Sequence, residues 1–348
     1  MVSLTIKRFE MTFEERITAL SKLGDLLKEL KGEQLDMLLR SASNNNNWFT
    51  EKETINALGA ICGYLERASL EKWLSPYQLK SPVHPKAIGL LLAGNLPAVG
   101  FHDVLCVLAV GHRAHIKLST NDKILIPFML NQLISIEPRF GELISVEEML
   151  KAKDAYIATG SDNSARYFNY YFGKYPHIIR NNRTSVAVLN GLEDISAIQK
   201  LGQDIFQYFG LGCRNISKIF VPNSDVLITL LDGLESFKDV ADHHKYNNNY
   251  DYNKSIYLVN SELHFDNGFL LLKESDDLVS PISVLYYGFY KEQGQLKQLL
   301  DQIGNKIQCV VSDKGWFPGS IPFGTAQCPA LDDYADGIDT IAFLKSLD

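Results

Sequence analysis

The chain of 348 residues is 46% hydrophobic and 22% charged, the balance of a folded globular protein, which excludes a disordered or fibrous chain. At about 150 residues per domain, this length predicts two domains or one domain with a sizeable insertion. Thirty-four basic residues against forty-one acidic ones leave a net charge of −7, so no overall positive field holds nucleic acid or an anionic membrane, and no nucleic-acid partner is expected.

Residues 1–13 carry Lys7, Arg8 and Glu10 in place of the continuous apolar stretch of a secretory signal, so export is not expected. Leu20, Leu23, Leu26, Leu27 and Leu30 fall on helical spacing and predict one helix over 14–39, closed by the polar run 44–47; a second helical stretch covers 51–73. Pro82 and Pro85 break this pattern. Short apolar runs then alternate with amphipathic ones, giving strands at 87–93, 115–118 and 155–158 and helices at 99–110, 124–136 and 164–171. None of the apolar runs approaches the roughly 18 residues of a membrane span, and a cytoplasmic protein is expected. The theme repeats with a strand at 186–189, a helix at 195–209 and a strand at 219–221. The Asn- and Tyr-rich segment 246–253 lacks a period and reads as a surface loop, and further short strands are predicted at 269–273, 284–289 and 307–312. Such alternation predicts an α/β fold: a doubly wound parallel sheet with helices on both faces, followed by a second α/β unit.

Five cysteines, Cys62, Cys106, Cys213, Cys309 and Cys328, form no Cys-x-x-Cys pair, which argues for reduced thiols and against a disulfide framework or a structural zinc. Cys213 stands out, in Gly210-Leu211-Gly212-Cys213-Arg214-Asn215 after an amphipathic helix and before a β-like run. Glycines there let a substrate approach the backbone, and nearby amides favour a thiolate, although a buried structural cysteine fits the residue alone. Asn95, in Ala93-Gly94-Asn95-Leu96-Pro97, follows a predicted strand; its amide can donate to an oxyanion at the sheet edge where open α/β folds bind ligands, or it can merely shape a turn. Lys117 and Ser119, in Ile116-Lys117-Leu118-Ser119, end the next strand and can meet a ribose or phosphate. Gly160 and Ser161, in Thr159-Gly160-Ser161-Asp162, open a helix whose N-terminus can face a phosphate or nicotinamide. His112 with His115, and His243 with His244, lack a carboxylate at helical spacing, so no metal site is expected; Asp332, Asp333, Asp336 and Asp339 read as turn and capping residues. His102 and Cys106 read as packing residues on a core helix.

Asn-x-Pro after one strand, Lys-x-Ser after the next, Thr-Gly-Ser after a later one and Gly-x-x-Cys before another resemble, in that order, the aldehyde dehydrogenase superfamily. Phe323-Gly324-Thr325-Ala326-Gln327-Cys328-Pro329, with Asp332-Asp333-Tyr334 and Asp336-Gly337-Ile338-Asp339, is similar to its LuxC-like acyl-CoA reductase branch. The resemblance covers residues 87–221 well and the last thirty or so moderately; between 222 and 304 it is thin. It implies a nicotinamide-cofactor domain with N-terminal helices over 1–185, a catalytic domain over 186–320, and a closing segment 321–348 that packs back on the cofactor domain. It implies Cys213 as nucleophile, Asn95 with the Cys213 amide as oxyanion hole, Lys117 at the adenosine ribose, Gly160 and Ser161 near the cofactor, and Asp277 at the nicotinamide ribose. Where hydrolytic members carry a Glu general base, this chain has Val188-Leu189-Asn190-Gly191, which suits an acyl-enzyme protected from water; Glu193 would restore hydrolysis if the loop register differs.

The activity so implied is NADPH-dependent reduction of acyl-CoA, of fatty type, to aldehyde through a Cys213 thioester, with NADH as the other cofactor. Lys117 with Arg113 or Lys123 would offset a 2′-phosphate. The implied partners are the acyl-CoA substrate, a second copy in a homodimer and acyl-transferring proteins. Two other readings stay open: an aldehyde dehydrogenase working oxidatively, hydrolytic or CoA-acylating, and a non-catalytic scaffold that binds acyl-CoA or a partner.

Overall fold

The computed structural model describes residues 11–80, 84–160 and 162–347. Pro82 and Ser161 lie outside the described residues. Two compact units divide the chain, one running to Asn181 and resuming at Ala330, the other spanning Asn182–Pro329.

The first unit begins with four helices, α1 (Phe13–Glu29), α2 (Gly32–Asn45), α3 (Glu51–Tyr64) and α4 (Arg67–Leu74). A reciprocal cap starts α1: Thr12 Oγ1 accepts from Glu15 N at 3.2 Å while Glu15 Oε2 accepts from Thr12 N at 2.7 Å. The single helix expected over 14–39 is broken after Leu30, because Lys31 is extended and Gly32 takes a left-handed φ of 58° that its missing Cβ permits. The stretch 51–73 is likewise split, at Leu65. There a Cβ on Gly24 would stand 2.7 Å from Leu65 Cβ, so the absence of a side chain lets α1 pack directly on this corner.

Strands β1 (Ala87–Leu91), β2 (Arg113–Lys117), β3 (Ile144–Val146), β4 (Ala155–Thr159) and β5 (His177–Arg180) form a wholly parallel sheet in the order β3-β2-β1-β4-β5. Helices α5 (Phe101–Val110), α6 (Leu125–Ile136) and α7 (Asp162–Phe172) make three of its crossovers. The strand order reverses between β1 and β4, and right-handed crossovers then place α5 and α6 on one face and α7 on the other. Helix α5 is apolar from Val104 onward and buried throughout its last eight residues, as a core helix is. Buried Arg16 closes its C-terminus, donating to Ala109 O at 3.1 Å and Val110 O at 3.2 Å. The closing helix α12 (Thr340–Lys345) belongs to this unit, where His112 Nε2 donates to Leu344 O at 3.0 Å.

The second unit holds β6 (Thr184–Val188), α8 (Ile195–Phe206), β7 (Ile216–Val221), α9 (Asp225–Gly233), α10 (His244–Val259), β8 (Phe265–Asp266), β9 (Leu271–Glu274), β10 (Val284–Phe289), α11 (Gln293–Gln302), β11 (Ile307–Ser312) and β12 (Ile321–Pro322). Its sheet runs β12-β11-β6-β7-β10-β9-β8, parallel except for the pairing of β8 with β9. Expected strands at 284–289 and 307–312 coincide with β10 and β11. The expected loop at 246–253 is instead part of α10. Its buried face is Tyr246, Tyr250, Asn253 and Tyr257, spaced four, three and four apart, a helical stripe built of phenols instead of aliphatic residues. Asn249 and Asn253 satisfy their amides on the carbonyls of Lys245 and Asn249, so their competition with the backbone is absorbed within the helix. No helix among the described residues is long and apolar enough to cross a membrane.

Candidate active site

In the second unit, Cys213 is exposed in the turn that enters β7. Helix α8 stops at Phe206, short of the expected 209, because Tyr208 (φ 53°), Phe209 (φ 58°) and Gly210 (φ 77°) are all left-handed. Only glycine adopts this conformation freely, and each bulky residue held there costs about 1–3 kcal/mol. Ring packing offsets that cost: Phe209 lies 4.3 Å from the His243 ring and Tyr208 is buried. The strained segment reverses the chain and leaves Cys213 at its outer end.

Two polar side chains fix the turn. Asn215 Oδ1 accepts from Gly212 N at 2.8 Å, while its Nδ2 donates to the carbonyls of Asp204, Ile205 and Gln207. Ser185 Oγ donates to Cys213 O at 3.0 Å and accepts from Cys309 N at 3.2 Å. Both pairings of β6 lose register here, between Ser185 and Val186 against β7 and between Ile307 and Val310 along β11. Such bulges re-aim backbone beside active sites. Buried Asp204 accepts from Gly324 N at 2.7 Å and Ala326 N at 3.0 Å, tying the Phe323-Gly324-Thr325-Ala326 segment to α8. Burial pushes its carboxyl up from 3.8 to about 6 despite those amides. Between these two values the folded state binds more protons than the unfolded chain, so the Asp204 contribution to stability is fullest at about pH 4 or below and is lost as pH rises through about 6. Denaturant titrations from pH 4 to 7 are expected to show that decline in the wild type and a flatter profile for Asp204→Asn.

Among the other cysteines, burial pushes up the thiols of Cys62 and Cys106, and raises that of Cys309 to about 11; Cys328 is exposed. Glu193 is nearly buried and committed to backbone: its two carboxylate oxygens accept from Asn190 N at 2.8 Å and Gly191 N at 2.9 Å. Val188, where the resemblance places the absent base, is fully buried. Asp277 is exposed between β9 and β10, its amide donating to Ser275 Oγ at 3.1 Å.

In the first unit, Asn95, Lys117, Ser119 and Gly160 all follow or end strands β1, β2 and β4 and gather along the carboxyl edge of one sheet, across the point where strand order reverses. This is where open α/β sheets bind ligands. Asn95 and Lys117 are exposed. A Cβ on Gly94 would come within 2.5 Å of Ser119 Oγ, and one on Gly160 within 2.9 Å of the Phe168 ring, so both glycines permit close approaches. Buried Asp122, which sequence reasoning missed, joins the two loops by accepting from Ala98 N at 2.8 Å and Leu125 N at 3.1 Å. A lone Asp after Ser-Thr-Asn reads as an ordinary turn residue; only its burial reveals the tie.

His102, His115 and His243 make structural contacts. His102 is boxed by Tyr64, Trp73 and Tyr334, and His115 pairs with Glu147 at 2.5 Å. His243 caps α10 by accepting from Tyr246 N at 3.4 Å, and its ring lies tilted against that of Phe209. Asp339 caps α12 through Ala342 N at 2.8 Å, and Asp336 accepts from Asn181 N at 3.3 Å. Among the described residues, no group of three or more His, Cys, Asp or Glu side chains could hold a metal ion.

Aldehyde dehydrogenase 21 from Physcomitrella patens, in complex with succinate, superposes with a TM-score of 0.66 over 97% of this chain and 84% of its own, at 12% identity. The fold is that of the aldehyde dehydrogenases. KauB, an aldehyde dehydrogenase of Pseudomonas aeruginosa, matches the same fold with a TM-score of 0.63 over 87% of this chain and 72% of its own, at 13% identity. The NADP complex of an NADP-dependent glyceraldehyde-3-phosphate dehydrogenase from Bacillus halodurans C-125 matches with a TM-score of 0.60, at 14% identity, covering 86% of this chain and 73% of its own. No family model and no curated protein sequence matches the chain.

Proposed function

We propose that this protein is an oxidoreductase that reduces acyl-CoA, of fatty type, to aldehyde with NADPH, through an acyl thioester on Cys213. The observation that carries the reading is the exposed Cys213 thiol on a strained, polar-braced turn within an aldehyde dehydrogenase fold. Cys213 Sγ attacks the acyl carbon; a new C–S bond forms, the bond to CoA breaks, and CoA leaves as its thiolate. Asn95 Nδ2 and the Cys213 amide donate to the oxyanion of that addition. Bound reduced nicotinamide supplies the hydride for the second half of the reaction.

Resistance to water favours reduction over acid formation. Val188 offers no base, and Glu193 has both oxygens engaged by amides, so neither is set to activate a water molecule. The sheet edge suits a dinucleotide carrying a 2′-phosphate. An acidic residue at the end of β2 would select a free ribose 2′-hydroxyl; here the strand ends in exposed Lys117, followed by Leu118, Ser119, Thr120 and Asn121, and the first acid, Asp122, is buried and engaged. Lys117 would hold the ribose and its phosphate, Gly94 and Gly160 would let the cofactor reach the backbone, Ser119 and Ser161 would donate to it, and Asp277 would hold the nicotinamide ribose. The assembly we propose is a homodimer, served by acyl-transferring proteins in the cytoplasm.

Intact mass after incubation with a panel of acyl-CoAs tests the reading. The expected result is a gain equal to the acyl group, discharged on adding NADPH with release of aldehyde. A folded protein that acquires no adduct from any acyl-CoA overturns it, and NAD(P)-dependent acid formation from aldehydes would move the activity to the oxidative direction. Asn95→Ala is expected to slow acylation by about 10²–10³-fold, the usual effect of losing one oxyanion donor, with its melting temperature unchanged; acylation at the wild-type rate removes Asn95 from the mechanism.

A further inference from the structure

β9 and β10 are parallel neighbours, with Leu271 opposite Val284 and Glu274 opposite Tyr287. Such strands are ordinarily joined by a crossover of a dozen or more residues, usually containing a helix. Here the connection is only residues 275–283 and contains no helix, and it carries Asp276 and Asp277. Within this strap, Ser275 O accepts from Lys218 Nζ at 2.6 Å, and Leu278 O accepts from Ser217 Oγ at 2.5 Å. These two carbonyls bracket Asp276 and Asp277, and both are held by consecutive residues of β7.

Lys218 is an expensive residue to keep at that place. It is 4% exposed, and burying an ammonium is unfavourable unless something compensates. Burial draws its pKa down, opposed by the charges of Asp276 and Asp277; the ammonium also lies 5.3 Å from the centre of the Phe220 ring. A Cβ on Gly288 of β10 would lie 3.5 Å from Lys218 Cε, at ordinary contact distance, so the lysine stem runs across this strand. Cys213 enters the same strand five residues earlier. One strand therefore fixes both the nucleophile turn and the strap.

We propose that Lys218 is a positioning residue for the reductive half-reaction: it pins the 275–283 strap through Ser275 so that Asp277 is held ready for the nicotinamide ribose, with Ser217 pinning the other side. The inference rests on the reading of Asp277 given above and assigns the residue that orients it. Loss of a charged hydrogen bond that positions a ligand group is expected to weaken NADPH binding about tenfold or more.

Fluorescence titration of NADPH into the folded proteins reads this without turnover. Lys218→Met is expected to raise the Kd for NADPH at least about tenfold, while acylation by acyl-CoA, read by intact mass, stays at the wild-type rate. Lys218→Arg is expected to restore most of the affinity. Asp277→Asn is expected to weaken binding too, and the double variant Lys218→Met/Asp277→Asn is expected to be no weaker than the worse single variant, because both changes remove one arrangement. Wild-type affinity in Lys218→Met, or losses that simply add in the double variant, overturns the inference. Should Lys218→Met fail to fold, Ser217→Ala and Lys218→Gln decide in the same assay: wild-type affinity in both overturns it. Absence of an acyl adduct on the wild type would sink the proposed reaction and not this inference, which stands or falls on the titration; no NADPH binding by the wild type overturns both.

Discussion

Cys213→Ala is expected to acquire no acyl mass from any acyl-CoA and to lose turnover by at least about 10³-fold, the scale on which a removed nucleophile exceeds a removed donor. The site explains why the loss should be chemical and not structural. The thiol is exposed, so truncation leaves no internal cavity. What braces the turn is main chain: Ser185 binds the Cys213 carbonyl, and Asn215 binds Gly212 N. Both bonds survive the substitution, and the melting temperature should stay within a degree or two. Cys309 serves as the internal control. Its thiol meets Ser185 Oγ at 3.1 Å and is pushed up to about 11 by burial, so it is mostly protonated at neutral pH and unable to substitute as nucleophile. Cys309→Ala should acylate as the wild type does. An adduct that persists in Cys213→Ala and vanishes in Cys309→Ala would reverse the two assignments.

The strands and helices that carry the sheet edge were legible because their signals are local: an apolar run read at 87–93 and leading into Gly94-Asn95, where β1 ends at Leu91, an apolar helix read at 99–110, where α5 covers Phe101–Val110, and Lys117 closing β2. The breaks were less legible. Leucine spacing continues across Leu30, and only the backbone of Gly32 shows that the helix stops. Helix α10 was invisible to an apolar count because tyrosines form its buried stripe. Around Cys213, the glycine-flanked cysteine could be read from sequence, whereas its supports could not. Ser185, Asp204, Asn215 and Lys218 are polar residues whose importance comes from burial and from partners distant in the chain, such as Asp204 with Gly324 and Lys218 with Ser275. Periodicity carries no record of such partners. Glu193 shows the same limit from the other side: its place in sequence permits a general base, and its two amide partners make it a turn brace.

Asp103→Asn is expected to destabilise the first unit by about 3–5 kcal/mol, because it strands a buried guanidinium. Arg180, the last residue of β5, is 3% exposed and donates from Nη1 to both carboxylate oxygens of Asp103, at 2.8 and 2.6 Å. Burial opposes its charge, and the field and hydrogen bonds of Asp103 more than offset that cost, leaving its pKa raised. The same guanidinium reaches Thr159 Oγ1 at 3.3 Å and Thr340 Oγ1 at 3.0 Å. It thus joins the start of α5, the ends of β4 and β5, and the returning helix α12. The Asn95 loop leads into α5, and Gly160 directly follows Thr159, so both flanks of the sheet edge stand on this pair. Replacing both partners with apolar residues of similar shape, Asp103→Leu with Arg180→Met, removes the stranded charge together with its counterion and should recover most of the lost stability, since an apolar substitute for a buried ion pair is often neutral. Denaturant unfolding of the wild type, both single variants and the double variant tests this, provided the transition of the first unit is followed separately from that of the second. Single variants within about 1 kcal/mol of the wild type would mean that the pair is solvated or dispensable. If the double variant recovers stability yet binds NADPH weakly, Arg180 also contributes through Thr159 to the placement of the Gly160 turn, a role that stability alone would not reveal.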